Sequence, residues 1–342
     1  MAITRSGEYE ILEFHDVAEL VPRTDNALGQ LGLFEEYFGV STKVEIERIE
    51  DGYDVMKATE RGGDRNYAGN ETAQLVDFRI PFFTLDKMTK PHEIQDFREY
   101  ATADAPLKVE SRVERNVARI MKSHDFLKRK IMYTALKGDT YAEGLAGTQY
   151  AKNFATVWGV TADVVSTTYD FTAGTNPALW VETNVRKHIT AQAKDNATSY
   201  RVAALCGSGF FNSLANHPSV QGAFDAYSSE QEPLRNRLAS DNGDTVGQIF
   251  KYKGVTYIED ISGEIGDADA YFLPLGIQDM FQLHYAPADT VEDANEVARE
   301  AYIWLEETRR TAKVESETSV VAVNTRPELV VSVLNCTLLA DA

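Results

Sequence analysis

The stretch from Leu107 to Gly138, LKVESRVERNVARIMKSHDFLKRKIMYTALKG, is the most strongly patterned part of the chain. Its apolar residues recur at steps of three and four, which is the spacing of one face of an α-helix. Pro106 suits the start of such a helix and Gly138 suits its end. We therefore predict a helix over 107–137, and about 30 residues at ~1.5 Å each give a rod of roughly 45 Å.

The opposite face of this helix is basic. It carries Arg112, Arg115, Arg119, Lys122, Lys128, Arg129 and Lys130. One interpretation is ion pairing along the helix with Glu110 and Glu114. The other is a weak electrostatic surface that faces an anionic partner.

An aromatic cluster lies well before the helix. The spacing of Phe34, Tyr37 and Phe38 predicts one side of a short helix that ends at Gly39. Residues 1–30 are polar with weak periodicity, and we interpret them as a loosely attached arm.

Two alternating segments flank a polar, glycine-containing stretch at 58–74. The segments, 44–49 and 76–80, predict the arms of a long hairpin. It has little apolar material of its own, and a two-stranded hairpin is marginal in isolation. We therefore expect it to lie on something outside itself.

The rest of the chain mixes helices and strands. Pro177 opens a second helical pattern at 178–194, and 200–227 is typical of strand, turn and helix. Further strand-like runs follow up to 334, without strict alternation of strand and helix. The fold class predicted from these patterns is α+β.

Composition narrows the function. The 342 residues fit about two domains or one elaborated domain, and 34 basic against 53 acidic residues give a net charge of −19. So acidic a chain is a poor general nucleic-acid binder. No run approaches 18 uncharged apolar residues, so we expect no membrane segment.

No catalytic constellation is evident. The six histidines have no metal-ligand spacing, and we expect neither a metal nor a cofactor. One alternative is a soluble hydrolase that uses Cys206 or Ser208, although the residue order around Ser208 is not that of a nucleophile elbow. The simpler interpretation is a buried cysteine at a strand end, followed by a turn.

The arm, the hairpin, the long helix and the long polar loops each leave groups that other chains could cover. Together they predict an assembling subunit that is not an enzyme. In this order they resemble the major capsid proteins of lambda-type tailed phages, the coat protein E family with the Hong Kong 97-like fold. The local stretches that carry the resemblance are Leu33-Phe34 to Phe38 before Thr42-Lys43-Val44, Arg61-Gly62-Gly63, Ala135-Leu136-Lys137-Gly138, Phe210-Phe211-Asn212-Ser213, Phe272-Leu273-Pro274 and the ending from Leu329 to Ala342.

The resemblance implies a division of the chain into regions. They are an N-terminal arm (1–45), an extended loop (46–86), a peripheral domain with the spine helix (87–165 with helix 107–137), an axial domain (166–316) and C-terminal return strands of the peripheral domain (317–342).

It also implies a function. Hexamers and pentamers of the chain would build an icosahedral head around double-stranded DNA, without catalysis or cofactor. Scaffold and portal proteins, and a decoration protein, are the further partners it implies, with assembly in the host cytoplasm and the virion as final location. The alternative within this fold is an encapsulin-like compartment shell.

Two sets of residues follow as candidates. The contacts between subunits are predicted at Phe34, Tyr37, Phe38, Arg61, Gly62, Gly63, Arg65 and Phe78. The residues predicted to face DNA are Arg115, Arg119 and Lys122.

Overall fold

A computed structural model describes residues 27–50, 72–95, 108–160, 166–193, 200–225 and 248–339. Within them the helices are α1 (Ala27–Leu31), α2 (Val109–Lys137), α3 (Phe154–Val157), α4 (Pro177–Val181), α5 (Lys187–Ala193), α6 (Ser208–Ala215) and α7 (Pro218–Asp225). A π-helical turn, Glu182–Arg186, joins α4 to α5, and short 3-10 helices lie at Pro91–Glu93, Phe171–Ala173 and Pro327–Leu329.

The strands in the same residues are β1 (Phe34–Phe38), β2 (Lys43–Glu50), β3 (Thr72–Arg79), β4 (Phe82–Thr84), β5 (Lys87–Thr89), β6 (Ser166–Thr167), β7 (Arg201–Cys206), β8 (Ile249–Tyr252), β9 (Val255–Glu259), β10 (Ala270–Leu275), β11 (Phe281–Tyr285), β12 (Tyr302–Glu307), β13 (Ala312–Asn324) and β14 (Val331–Val333). Helices and strands are both well represented, in agreement with the predicted α+β class.

The predicted long helix is confirmed as α2, whose 29 residues end at Lys137. Gly138 follows with φ +109°, and its N–H donates to the Ala135 carbonyl. A left-handed conformation after the last turn favours glycine, which has no Cβ to clash. Pro106 lies outside the described residues.

The first sheet is built around β13, the longest described strand. Strands β11 and β12 pair antiparallel with β13, and β4 and β5 also pair with it. Strand β1 extends the sheet by pairing parallel with β11. Helix α2 packs on this sheet, where Val113, Val117 and Ile120 form a buried cluster with Leu305 and Val314.

The second sheet has the strand order β6-β14-β10-β7-β9-β8. Strand β7 is buried from Val202 to Cys206 and leads directly into α6, which confirms the predicted strand, turn and helix. The second predicted helix is also confirmed, as the continuous run of α4, the π-helical turn and α5. The third sheet is the β2–β3 hairpin alone.

The short aromatic helix predicted at 34–38 is wrong, because these residues form β1. A strand distant in sequence, β11, supplies the hydrogen-bond partners that override the local helical spacing. The preceding residues also belong to the body: Leu28 in α1 is completely buried. Of the predicted arm, residues 1–26 lie outside the described part of the chain.

The two sheets divide the chain differently from the predicted regions. Strands β11 and β12 fall inside the predicted axial range 166–316, yet they pair with β13 in the sheet that carries α2. The predicted return strands at 317–342 contribute to both sheets, because β14 pairs with β10. The difference arises because strand partners are set by long-range pairing and not by order along the chain.

Candidate functional site

The β2–β3 hairpin has two unlike faces. In its ladder Val44 lies opposite Phe78 and Ile46 opposite Val76, and these residues turn their side chains toward the core of the subunit. The alternate residues face outward, and Ile49 is 58% and Leu75 63% exposed. The hairpin therefore lies on something outside itself, as expected, and on its inner face that support is the body of its own subunit. Sequence alternation contains the signal for the outer face, since Ile49 is out of phase with Val44 and Ile46.

Phe78, a predicted contact between subunits, lies on the inner face and is 1% exposed. Its ring centroid lies 6.3 Å from that of Phe154 and 6.1 Å from that of Trp158. The Lys152 ammonium sits 5.2 Å from the same ring. Phe78 thus belongs to the core of its own subunit and has no surface to offer a neighbour. The predicted tip contacts Arg61, Gly62, Gly63 and Arg65 lie outside the described residues.

Near the last described rung, the hairpin is fastened to the body by polar contacts. The Arg48 guanidinium donates to the Glu328 carboxylate at 2.9 Å and to the Thr325 carbonyl at 3.4 Å. Opposite Arg48 in the ladder, the Gln74 amide donates to the Val157 carbonyl at 2.9 Å. No local pattern connects residues about 280 positions apart, so sequence reasoning missed this pair.

Three of the residues predicted to contact other subunits lie on β1, and the ring of each contacts a ring on β11. The rings of Phe34 and Phe281 have centroids 5.0 Å apart, and the Tyr37 ring stacks on His284. Phe38 stacks on Tyr285 at 5.0 Å. Tyr37 and Phe38 remain 38% and 45% exposed in the single chain, whereas Phe34 is half-buried. The strand therefore presents aromatic surface at a sheet edge.

Lys128 joins β1 to the long helix α2. Its ammonium lies 2.7 Å from a Glu36 carboxylate oxygen and 2.8 Å from one of Glu300. Burial alone lowers the pKa of Lys128, but its interactions with Tyr285, Glu300 and Glu36 outweigh burial and leave the pKa raised. A charged Lys128 therefore holds β1 in place and is not a free part of the basic face.

The three predicted DNA-facing residues lie on one exposed flank of α2. Arg119 and Lys122 are exposed, and within the described residues they take part in no ion pair. Arg115 is half-buried and donates from Nε to the Ser111 carbonyl. We name Arg115, Arg119 and Lys122 the basic stripe. Their spacing of four and three residues aligns them along about 10 Å of helix.

The alternative explanation of the basic stripe by pairing with Glu110 and Glu114 has no support here. Among the residues that the structure describes, neither carboxylate forms an ion pair. The basic residue next to them, Arg112, reaches the Glu93 carboxylate at 4.0 Å instead.

The hydrolase alternative fails on the geometry of Cys206 and Ser208. Cys206 is completely buried, and burial raises the pKa of its thiol well above the usual value, which disfavours the nucleophilic thiolate. Ser208 opens α6, and none of its hydrogen bonds within the described residues reaches a histidine.

The glycines around Ser208 have a packing role. A Cβ on Gly207 would lie 2.1 Å from the Gly266 carbonyl oxygen, and one on Gly209 2.5 Å from an Asp267 carboxylate oxygen. That carboxylate accepts a hydrogen bond from the Gly209 N–H at 2.7 Å. The Gly207-Ser208-Gly209 turn therefore lets the 266–267 loop close against the start of α6.

Within the described ranges no cluster of His, Cys, Asp and Glu has the geometry of a metal site. In the same ranges no helix combines the length and the apolar character needed to cross a bilayer.

Solved structures define the class of fold. The chain is similar to the subunit in the structure "Cyanophage Pam1 capsid asymmetric unit", with a TM-score of 0.54 and 14% identity over 97% of this chain and 95% of that one. It is also similar to the "Capsid of Ralstonia phage GP4", with a TM-score of 0.50 and 11% identity over 95% and 90% of the two chains. The fold is thus the Hong Kong 97-like fold of phage capsid subunits.

Sequence comparison then assigns the family. The family model described as "Phage major capsid protein E" matches residues 14–335, and the chain belongs to this family. Major capsid proteins of Pseudomonas phage KPP10 and Salmonella phage Felix O1 are 26% and 23% identical, over 93% and 92% of this chain and 95% and 92% of theirs. The chain is a structural subunit of a tailed-phage capsid and not an enzyme, which favours the phage coat over the compartment shell.

Proposed function

We propose that the chain assembles through its hairpin and its β1 edge into hexamers and pentamers, which close into an icosahedral head around double-stranded DNA. The observation that carries this proposal is the outer face of the hairpin, where Ile49 and Leu75 are more than half exposed in the single subunit. Burying each of them against a neighbour contributes about 1–2 kcal/mol. A contact of that size, repeated in every subunit, sums to a stable closed shell.

The regions of the chain take distinct places in this proposal. Residues 46–86 form the extended loop, and the sheet around β13 with α2 forms the peripheral domain. The sheet around β10 with its helices forms the axial domain, which meets its copies at the capsomer axis. Tyr37, Phe38 and the tip residues Arg61, Gly62, Gly63 and Arg65 contact neighbouring subunits.

The basic stripe of α2 faces the packaged DNA. Arg119 and Lys122, which form no ion pair within the described part of the chain, supply positive charge on a subunit with a net charge of −19, so phosphate contact is local and weak. Scaffold and portal proteins act during assembly in the host cytoplasm, a decoration protein adds to the shell, and the virion is the final location.

Deleting residues 58–72 tests the central claim. We expect a folded subunit with the thermal unfolding of the parent chain and no closed particles by electron microscopy. Shells of normal size from the deletion variant would contradict the assignment of the hairpin. Particles of the parent chain that held a protein cargo and no DNA would instead indicate a compartment shell.

A further inference from the structure

We propose that the Arg48–Glu328 ion pair is the positioning contact that sets the direction of the hairpin for assembly, a proposal that rests on the proposed function. Arg48 is adjacent in the chain to Ile49, and its ladder partner Gln74 is adjacent to Leu75. The pair therefore lies directly beneath the exposed apolar surface of the hairpin. A change in its geometry moves that surface relative to the body.

The two side chains of the pair are well buried, and their charged groups are in direct contact. The side chains of Arg48 and Glu328 are 16% and 7% exposed, and their closest nitrogen and oxygen lie 2.9 Å apart. The second guanidinium nitrogen, Nη1, reaches the other carboxylate oxygen at 3.5 Å and the Thr325 carbonyl at 3.4 Å. A two-point contact between a planar guanidinium and a carboxylate fixes orientation as well as distance.

The 3-10 helix that contains Glu328 is itself tied to α5. The His188 ring nitrogen Nε2 lies 3.0 Å from the Glu328 carbonyl oxygen, and the Arg326 guanidinium donates to the Gln192 carbonyl at 2.9 Å. Both contacts lead to α5, which contains His188 and Gln192. Through these contacts the direction of the hairpin depends on the position of α5 as well as on the core residues beneath it.

The base of the hairpin has independent support. Val76 and Phe78 are buried in the core, and Val44 and Ile46 pack against it. Loss of the ion pair therefore loosens the end of the hairpin nearest the tip, which keeps the contact from the Gln74 amide to the Val157 carbonyl, while the base stays attached. Glu328 also keeps a cation when Arg48 is removed, because Arg326 Nε lies 3.5 Å from its carboxylate. The Arg48 variant thus leaves no uncompensated buried charge, so the subunit still folds.

The test compares Arg48→Gln with the matched control Arg79→Gln, which removes the same charge from an exposed arginine of the same hairpin. For Arg48→Gln we expect about tenfold faster amide exchange at 47–50 and 72–75, the rungs nearest the tip, in the unassembled subunit. We also expect a yield of closed particles lowered about tenfold or more, with unchanged amide exchange in α2. Arg79→Gln should match the parent chain, and Arg48→Lys, which keeps the charge, should recover part of the yield.

Parent-like exchange in the hairpin of Arg48→Gln would overturn the positioning role, as would a parent-like yield and size of particles. Faster exchange throughout the subunit would also overturn it, because the pair would then serve overall stability. Failure of the parent chain to form shells would contradict the proposed function alone, since the exchange measurement on the isolated subunit still decides the role of Arg48.

Discussion

The long helix α2 and the β2–β3 hairpin are both amphipathic, but they differ in what covers their apolar sides. The apolar stripe of α2 is buried on strands of its own subunit, and every residue from Ile131 to Leu136 is buried. The hairpin buries one face in the same way and leaves Ile49 and Leu75 exposed on the other. Apolar surfaces that are buried within one subunit stabilise its fold. Apolar surfaces that stay exposed on a well-supported element are available for contact with other subunits.

The largest effect that we expect on subunit stability comes from a cavity beneath α2. Ile131 is completely buried, and Ile131→Ala should lower the free energy of unfolding by about 2–5 kcal/mol. The same helix provides a control in Val109→Ala, because Val109 is 45% exposed and should change stability by less than about 1 kcal/mol. Chemical denaturation of the unassembled subunit measures both. Equal losses of unfolding free energy in the two variants would contradict the burial of the apolar side of α2 within its own subunit.

Acid should also destabilise the subunit, through a histidine on the buried side of α2. His124 is buried against Ser316, its Nε2 lies 2.9 Å from Ser316 Oγ, and burial lowers its pKa to about 4. The unfolded chain binds the proton near pH 6.5, so stability falls as the pH drops from about 6.5 to 4, by at most ~3 kcal/mol. His124→Gln should flatten the pH dependence of unfolding in this window, whereas His92→Gln, at an exposed histidine, should not. An unchanged slope in His124→Gln would contradict this origin of the acid sensitivity.

The same contrast explains what could be predicted from sequence. Helix α2 is encoded locally, by apolar residues along one face and a glycine after its last turn. The sequence therefore predicts its start to within two residues and its end at Lys137 correctly. Strand β1 was wrongly predicted as a helix because Phe34, Tyr37 and Phe38 satisfy helical spacing, while β11, their partner, is distant in the chain. The Arg48–Glu328 pair has no local signature for the same reason. Sequence patterns identify helices and strands, but only the folded chain shows which of their faces remain exposed to solvent.

A smaller effect on the subunit, with a larger one on assembly, is expected on the outer face of the hairpin. The double variant Ile49→Ser and Leu75→Ser should leave the unfolding free energy within about 0.5 kcal/mol of the parent, because both side chains are mostly in water. Closed particles should decrease by about tenfold or more, since each subunit loses roughly 2–4 kcal/mol of apolar contact. Sedimentation and electron microscopy measure the yield.

The inner face gives the matched comparison for that experiment. Ile46→Ser replaces a residue that packs on the subunit core and should destabilise the unassembled subunit. If Ile46→Ser left stability unchanged while the outer-face variant destabilised the subunit, the assignment of the two faces would be reversed.

The smallest effect that we expect on the subunit concerns the exposed flank of α2. Arg119→Glu with Lys122→Glu reverses the two exposed members of the basic stripe, and it spares Arg115, whose Nε donates to the Ser111 carbonyl. Neither unfolding nor shell formation should change beyond the scatter typical of surface substitutions, about 0.5 kcal/mol. The fraction of particles that retain DNA should decrease, and more steeply at high salt, because phosphate contacts weaken as salt rises. Lys87→Glu with Lys90→Glu makes the same charge change at exposed lysines in and next to β5 and should retain DNA normally. Equal DNA retention in both double variants would contradict a specific role for the basic stripe. Only the net charge of the shell would then affect the retention of DNA.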